Sequence, residues 1–273
     1  MKKGELLSYN TKIIDTPTTK EIWIYDEPIF SRAKSDNKNI TTNINERQSF
    51  DNMSAVNQYD SLKRKQKHYE EMRWEVARLV DCNFDNMTKF LTLTFKENHI
   101  DIAYTNKEFE KFIKRLNYHL YKSKKQVIKY LATWEKQKRG AIHYHVIFFY
   151  FPYIKNKELE RVWGHGFIKI NKIDVDSKDN RGRYVSKYFS KDLELKEHKK
   201  KAFFKSQNLK MPRVRKTILT DEMIETFNRE NIIFIKHYNR KFYDRLAKIT
   251  NDNGEEPRYI LKDSKVTYIK IKK

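Results

Sequence analysis

Cysteine is almost missing from this sequence, and its scarcity limits the sites that the chain can build. Cys82 is the single cysteine among 273 residues, so neither an internal disulfide nor a zinc site made of thiolates can form. Long apolar runs are missing as well, because no stretch approaches the roughly 20 residues that span a bilayer. No apolar segment follows the basic start Met1-Lys2-Lys3. We therefore expect a cytoplasmic protein with no secretory signal and no membrane partner.

Acidic residues are scarce relative to basic ones. The chain has 36 Asp and Glu against 58 Lys and Arg, which gives a formal net charge of +22. An AT-rich genome would explain the preference for Lys over Arg, but not the shortage of acidic residues. Such an excess of cations favours polyanions through counterion release, so we expect a nucleic acid as the partner. Only 38% of the residues are hydrophobic, yet 14% are aromatic, and this argues against general disorder.

The patterns along the chain predict three segments. Residues 1–55 are polar with scattered apolar pairs, and we expect them to form a polar N-terminal arm. Residues 56–216 hold the clearest periodic patterns and are expected to form the main domain. Residues 217–273 combine a helix expected at 220–229 with short strands expected at 232–235 and 266–271, and form a mixed C-terminal extension.

Apolar periodicity at the start of the main domain predicts a helix, a strand and a second helix. Residues 57–80 follow the helical period, whereas residues 90–95 alternate Leu and Phe with Thr, as in a strand. Thr105 and Glu108 form a capping-box pattern, which predicts that the second helix begins there.

A β-hairpin in the middle of the chain is the strongest local pattern. Residues 130–134 and 142–151 are apolar and aromatic, and the polar stretch between them ends in Gly140, as expected of a turn. A short helix at 158–163 and a strand at 167–175 follow it. The whole order favours an α+β fold, with an antiparallel sheet backed by helices. A parallel doubly wound sheet fits less well, because the hairpin strands are joined too tightly for crossovers.

Two histidines on the second hairpin strand suggest a metal site. His143 and His145 are two residues apart, so in a strand they project from the same face. If the turn is centred near Arg139, Glu135 lies opposite His143. Two imidazoles and one carboxylate are a ligand set suited to one divalent cation. The alternative is that both rings are simply packed or solvated, although each buried imidazole needs a partner.

A helix expected at 183–195 carries a stripe of tyrosines and lysines. Tyr184, Lys187, Tyr188 and Lys191 follow the spacing i, i+3, i+4 and i+7, so they share one side of the helix. A phenol, with a pKa of about 10, becomes a nucleophile once a cation favours its ionised form. Beside a metal and in a basic protein, this stripe suggests transesterification of a phosphodiester. Ordinary packing of an amphipathic helix is the alternative.

These motifs, in this order, resemble the HUH endonucleases, and specifically the rolling-circle replication initiators of bacterial phages and plasmids. The strand at 90–95 looks like the family's first motif, and His143-Tyr144-His145 has the form of its His-hydrophobic-His motif. Residues 184–191 look like the third motif, with the paired tyrosines of the two-tyrosine class. The resemblance covers roughly residues 75–215.

The resemblance implies a fold and a ligand set. The fold would be a five-stranded antiparallel sheet with helices packed on it, a ferredoxin-like variant akin to RNA-recognition domains. The endonuclease domain would be residues 56–216. Glu135, His143 and His145 would hold Mg²⁺ or Mn²⁺, and this ligand set accepts both ions.

The implied activity is site-specific nicking and joining of single-stranded DNA at a rolling-circle origin, through a covalent 5′-phosphotyrosine. Tyr188 or Tyr184, or both in alternation, would be the nucleophile, and Lys191 would orient it or offset phosphate charge. The free 3′ hydroxyl would prime synthesis in a bacterial cell or a phage-infected host. The chain contains no Gly-x-x-x-x-Gly-Lys-Ser/Thr motif, so a host helicase and a host polymerase are the expected partners.

Two other functions remain compatible with the sequence. A two-tyrosine transposase of the same superfamily would share all of these motifs. A non-catalytic module that binds single-stranded nucleic acid would keep the fold and the charge but form no covalent product. A relaxase fits less well, because its catalytic tyrosine usually lies near the N-terminus.

Overall fold

A computed structural model describes residues 7–31, 52, 54–137, 140–172, 203–220, 225, 229–249 and 258–273. The chain divides into two compact units, Gln48–Met211, here the central unit, and Met1–Arg47 with Pro212–Lys273, here the terminal unit. The helices are α1 (Ala55–Asn83), α2 (Ile102–Tyr121) and α3 (Asn156–Trp163). The strands are β1 (Leu7–Asp15), β2 (Thr19–Ser31), β3 (Lys89–Thr94), β4 (Lys129–Lys136), β5 (Ile142–Phe149), β6 (Ile168–Lys172), β7 (Phe204–Lys205), β8 (Arg213–Thr217), β9 (Ile232–Ile249) and β10 (Arg258–Lys272).

The central unit is built on a five-stranded antiparallel sheet in the order β6-β3-β5-β4-β7. One face of this sheet packs against α2 and α3, and the largest buried side chains meet there. Phe109 of α2 stacks on Tyr144 of β5, with ring centroids 4.7 Å apart and an interplanar angle of 6°. The α+β fold and the five-stranded antiparallel sheet that the sequence predicts are both confirmed.

The other face of the central sheet is divided along its strands. Its lower part is apolar and packs under α1, through Val76, Leu79 and Val80. Its upper part carries threonines, both histidines of β5 and the last carboxylate of β4. The alternation of apolar and polar residues thus puts a core and a polar site on the same face.

The start of α2 differs from the prediction. The helix begins at Ile102, one turn before the expected capping box, because the Asp101 side chain accepts a hydrogen bond from the Ala103 backbone N–H at 2.8 Å. Thr105 lies inside the helix, where its hydroxyl donates to the Asp101 carbonyl at 3.0 Å. Glu108 also lies inside the helix and is bound by other side chains, so the capping-box assignment is wrong.

The loop after α3 passes close to the end of β3. Gly164 ends α3 in the left-handed region, with φ at 74°. A Cβ on Gly166 would lie 2.7 Å from both the Lys96 backbone nitrogen and the Thr94 carbonyl oxygen, so only glycine fits there. The expected short helix is confirmed, and so is the strand that follows it up to Lys172. Residues 173–202 lie outside the described part of the chain.

The terminal unit contains a second five-stranded antiparallel sheet, in the order β8-β1-β2-β10-β9. Strands β1 and β2 lie in the segment that we expected to be a polar arm. The strands predicted at 232–235 and 266–271 are confirmed and extend further, as β9 and β10. Most of the helix predicted at 220–229 falls outside the described residues. None of the helices in the described part of the chain is long and apolar enough to cross a membrane.

Candidate metal centre

The hairpin brings a carboxylate and two imidazoles to one face of the central sheet. Glu135 on β4 pairs with His143 on β5, as the turn geometry predicts, and His145 pairs with Thr133. On the other side of β5, β3 places Thr92 opposite His145. Residues paired across strands point to the same face, so all three chemical groups project together.

The ligand atoms of this triad lie close enough to share one ion. The candidate atoms of Glu135, His143 and His145 are all within 4.8 Å of one another. Glu135 Oε1 is 2.8 Å from His145 Nε2 and in direct contact with His143 Nε2. The imidazoles are 9% and 8% exposed, and the carboxylate side chain is 22% exposed. The triad is therefore shielded but remains open on the carboxylate side.

Neighbouring side chains hold both rings in place. Thr92 Oγ1 lies 3.2 Å from His145 Nδ1, and Gln137 Nε2 lies 3.3 Å from His143 Nδ1. Phe90 stacks on the His145 ring, with centroids 5.6 Å apart and an angle of 13°. In each histidine Nδ1 is bonded to the protein, so Nε2 is the nitrogen that faces the shared site. Partners of this kind fix the orientation of metal-binding histidines.

The residues present fit a divalent cation. His143 Nε2 is buried and makes no regular hydrogen bond, only the close contact with the Glu135 carboxylate, and a metal ion would satisfy it. Two nitrogen donors and one carboxylate oxygen suit a first-row or alkaline-earth divalent ion, and no thiolate competes, because Cys82 lies on α1 and is not part of the triad. The triad can thus bind one divalent metal, as the sequence suggested.

Tyr144, between the two histidines, has a different role. It is fully buried on the opposite face of β5, where its hydroxyl donates to Asn106 Oδ1 at 2.7 Å. Burial raises the pKa of its phenol far above the ordinary range. Tyr144 is therefore a core anchor that fixes the direction of its two neighbours, and it is excluded as a nucleophile.

The edge strand beside β3 presents a cation and an aromatic ring to the same face. Lys169 pairs with Thr92, which in turn pairs with His145. Two strand spacings of about 4.8 Å separate Lys169 from His145, a gap that a lysine side chain can largely cross. Phe167 is 61% exposed, and its carbonyl accepts from the Thr94 N–H at 3.0 Å. The sequence showed that these two residues share a face, but not that the face is the one with the triad.

A second polar cluster lies behind the sheet and was not predicted. Glu108 on α2 accepts from Lys111 Nζ at 2.7 Å and lies 3.0 Å from His165 Nε2. The hydrogen bond from Lys111 is the main reason that the pKa of Glu108 lies below its ordinary value. His165 lowers it further, against the opposing effect of burial. The cluster joins α2 to the loop after α3, and its members are too far apart in sequence to be recognised as a motif.

The expected nucleophiles cannot be placed. Tyr184, Tyr188 and Lys191 all lie outside the described residues, and so does Arg139 at the expected centre of the turn. Of the six site residues named from the sequence, the structure brings Glu135, His143 and His145 together.

An antiparallel sheet bearing a His-x-His strand and a facing carboxylate defines the class of site, and comparison with known proteins indicates its context. The sequence model of a replication-associated protein family, that of ORF2, matches residues 88–193. A curated relative, the phasyl DNA replicon protein arp of Escherichia coli, is 27% identical over 148 residues, covering 45% of this chain and 50% of that protein. The chain thus spans about half the length of the relative it matches. No solved structure shows significant similarity to it.

Proposed function

We propose that this protein is a replication initiator that nicks and rejoins single-stranded DNA at a rolling-circle origin. The observation that carries the proposal is the convergence of Glu135, His143 and His145 on one face of the central sheet. These residues lie inside the range that matches the replication-associated family, and Tyr184 and Tyr188 lie inside the same range. A metal-competent triad and two candidate nucleophiles thus fall within one stretch that is similar to replication proteins.

The triad would hold Mg²⁺ or Mn²⁺ at the upper end of the sheet. When bound, the ion would polarise the scissile phosphate and offset the charge that develops on it. The task of the chain is to keep the three donors in position before DNA arrives. Thr92 and Gln137 do this by fixing the two imidazole rings.

A tyrosine phenolate, from Tyr184 or Tyr188, is the nucleophile in the proposed reaction. Its oxygen attacks phosphorus, a tyrosyl–phosphate bond forms, and the bond between phosphorus and the 3′ oxygen breaks. The departing 3′ oxygen takes up a proton and becomes the primer hydroxyl. Attack by a 3′ hydroxyl on the phosphotyrosine reverses these steps, so the strand is rejoined and the phenol is restored. Lys191 would favour the phenolate by its charge.

Lys169 and Phe167 would position the DNA strand at this site. The ammonium group of Lys169 would bind a phosphate next to the scissile one, and the exposed ring of Phe167 offers a base a stacking surface. The net charge of +22 would add general attraction that weakens with salt. With no fused helicase motif in the chain, a host helicase would supply the single strand, and a host polymerase would extend the 3′ end.

A covalent-adduct assay tests the proposal. Single-stranded origin DNA, labelled at its 3′ end so that the label stays with the 5′-phosphotyrosine fragment, is incubated with protein and Mn²⁺ and run on a denaturing gel. We expect a protein-linked band that EDTA abolishes. Changing Tyr184→Phe and Tyr188→Phe together should remove the band while DNA binding persists. The double variant Tyr118→Phe with Tyr153→Phe is the control, because these two tyrosines are 55% and 87% exposed and lie away from the triad.

The same assay examines the triad. His143→Ala should lower adduct formation by more than about a hundredfold, because losing a ligand costs at least as much as losing one of its supporting partners. His119→Ala is the matched control, since His119 lies on the surface of α2 with Glu158 at 3.7 Å. An undiminished adduct in the double Tyr184 and Tyr188 variant would refute the proposal. Binding without any adduct in the unmodified protein would instead favour a non-catalytic role.

A further inference from the structure

The sheet of the terminal unit has two faces of different chemistry. In the strand register, Trp23 pairs with Lys12 on one side and with Tyr268 on the other, and Tyr268 pairs with Lys236. Paired residues share a face, and so do the next residues but one along each strand. We call this side the aromatic face. Its exposed or half-exposed members include Trp23, Phe234, Lys236, Tyr238, Arg240 and Tyr268.

The opposite side supplies the apolar core of the sheet. Ile13, Ile22 and Ile271 are 2%, 0% and 7% exposed, and Ile24 and Ile269 pack beside them. We call this side the isoleucine face. An antiparallel sheet is commonly stable with one face packed and the other solvated. The aromatic rings on the second face are therefore not needed to give the sheet a core.

Cations and rings are interleaved on the aromatic face. Lys12 Nζ lies 5.2 Å from the centre of the Trp23 ring, and Lys216 Nζ lies 4.7 Å from that of Tyr9. The guanidinium carbon of Arg240 lies 5.9 Å from the Tyr25 ring. Such contacts orient a basic group over a π-surface. The rings themselves are arranged in a cluster rather than scattered along the sheet.

Several of these rings are open to solvent. Trp23 and Tyr268 have centroids 5.0 Å apart, and Phe234 follows at 6.1 Å from Tyr268. Phe234 is 49% exposed and Tyr238 is 37% exposed. Contiguous exposed aromatic surface of this kind marks an interaction site in a protein that otherwise buries its large apolar side chains.

The charge of the aromatic face has one sign. In the described rows between Tyr25 and Glu21, the one carboxylate is that of Glu21, which is 2% exposed. Burial raises the pKa of Tyr25 to about 12, so its phenol stays neutral at physiological pH. Exposed Lys236 and Arg240 therefore present positive charge beside aromatic rings.

We propose that the aromatic face is a second binding surface for single-stranded DNA. Unpaired bases would stack on Trp23, Phe234 and Tyr268, and the phosphates between them would contact Lys236 and Arg240. Stacking needs bases whose flat sides are free, so a single strand fits this face and a duplex does not. The proposal extends the proposed function but does not rest on it, because no residue of the triad takes part.

Two double variants on the same strand test the assignment. Phe234→Ala with Lys236→Gln alters the aromatic face. Ile235→Ala with Lys241→Gln makes the same change of charge and truncates a side chain of similar exposure, 47% against 49%, on the isoleucine face. Binding of the full chain to a labelled oligo-dT is measured by fluorescence anisotropy, in EDTA so that no strand is cut. Far-UV circular dichroism checks that each variant is folded.

We expect the aromatic-face variant to bind about tenfold more weakly, in keeping with the loss of one stacked base and one phosphate contact. Its salt dependence should fall by about 0.7 in logarithmic slope. The isoleucine-face variant should lose less than about threefold. Equal losses in the two variants, or no loss in the first, would overturn the proposal. An equal loss of affinity for a duplex of the same length would overturn the assignment to a single strand.

Photocrosslinking provides an independent measurement. An oligonucleotide containing 5-iododeoxyuridine is irradiated with the full chain, and the crosslinked peptides are identified by mass spectrometry. We expect crosslinks on Trp23, Phe234 or Tyr268, and crosslinks confined to residues 48–211 would contradict the proposal. Because neither experiment requires cleavage, a protein that shows these contacts but forms no adduct would keep this surface and lose the proposed nicking activity.

Discussion

The two sheets of this protein have the same number of strands and the same antiparallel pairing, yet they are buried to different extents. Every residue of β5, in the middle of the central sheet, is buried. By contrast, residues 233–240 of β9, at the edge of the terminal sheet, are all exposed. One sheet has helices packed on both faces, and the other has rings and cations facing solvent. Shared architecture therefore does not imply shared use.

The difference suits two separate tasks. A metal site needs donors held within a fraction of an ångström, and β5 provides this because the neighbours of His143 and His145 are locked in a packed core. A surface for a flexible strand of DNA needs accessible rings and charge instead, and β9 provides these through Phe234 and Lys236. The burial of each sheet thus matches the precision that its proposed ligand requires.

The largest expected effect compares a phenylalanine in each sheet. Phe109→Ala should destabilise the central unit by about 3–5 kcal/mol, because it leaves a cavity beside Tyr144 in a tightly packed core. Phe234→Ala should cost less than about 1 kcal/mol, since that ring is already half exposed. Urea unfolding followed by circular dichroism measures both. A cost at Phe234 equal to that at Phe109 would mean that the aromatic face is covered, and would break the comparison.

A smaller effect is expected from one hydroxyl next to the triad. Thr92→Val keeps the shape of the side chain but removes the oxygen that lies 3.2 Å from His145 Nδ1. We expect Mn²⁺ to bind about 10- to 100-fold more weakly, as for other losses of a histidine's supporting partner. Isothermal titration calorimetry measures the affinity. Thr94→Val is the matched control on the same strand, because the Thr94 hydroxyl donates to the Phe167 carbonyl. Equal weakening in both variants would mean that the effect is not specific to His145.

The sequence was informative about the central sheet because its elements are local. The hairpin joins β4 and β5 across a short turn, so alternation and one glycine were enough to predict that Glu135 would face His143. The start of α2 was missed because two N-capping signals lie close together, and Asp101 rather than Thr105 caps the helix. Thr92 and Gln137 were also missed, since nothing in their spacing distinguishes a hydroxyl or an amide that holds a histidine from one that faces solvent.

The terminal sheet could not be predicted, because its partners are distant in sequence. Trp23 on β2 pairs with Tyr268 on β10, and Thr11 on β1 pairs with Thr217 on β8. Short apolar stretches such as 22–25 have no local signal that names their partner strands. Taken alone, residues 7–31 are polar with isolated apolar pairs, and only pairing with the end of the chain makes them a sheet. The aromatic face exists only after that pairing.

The smallest expected effect concerns acid, and it tests how α2 is tied to the loop after α3. The pKa of Glu108 is lowered from an ordinary value of 4.5, first by the hydrogen bond from Lys111 and also by His165. A lowered pKa means that the ionised group stabilises the fold above about pH 4.5, and that this contribution is lost as the pH falls through the lowered value. The effect is small because the Lys111 side chain is 50% exposed and the ion pair is screened.

Glu108→Gln should therefore be less stable than the unmodified protein at pH 7, and the two should converge as the pH falls below about 4.5. Urea unfolding at a series of pH values measures the difference in the free energy of unfolding. Glu75→Gln controls for the loss of one negative charge, because Glu75 pairs with Lys205 on the surface at 2.6 Å. A difference between Glu108→Gln and the unmodified protein that stays constant from pH 7 to pH 3 would show that ionisation of Glu108 contributes nothing. In that case the packing of the central unit alone would hold α2 against the loop, and the contrast in burial between the two sheets would account for their stability without this cluster.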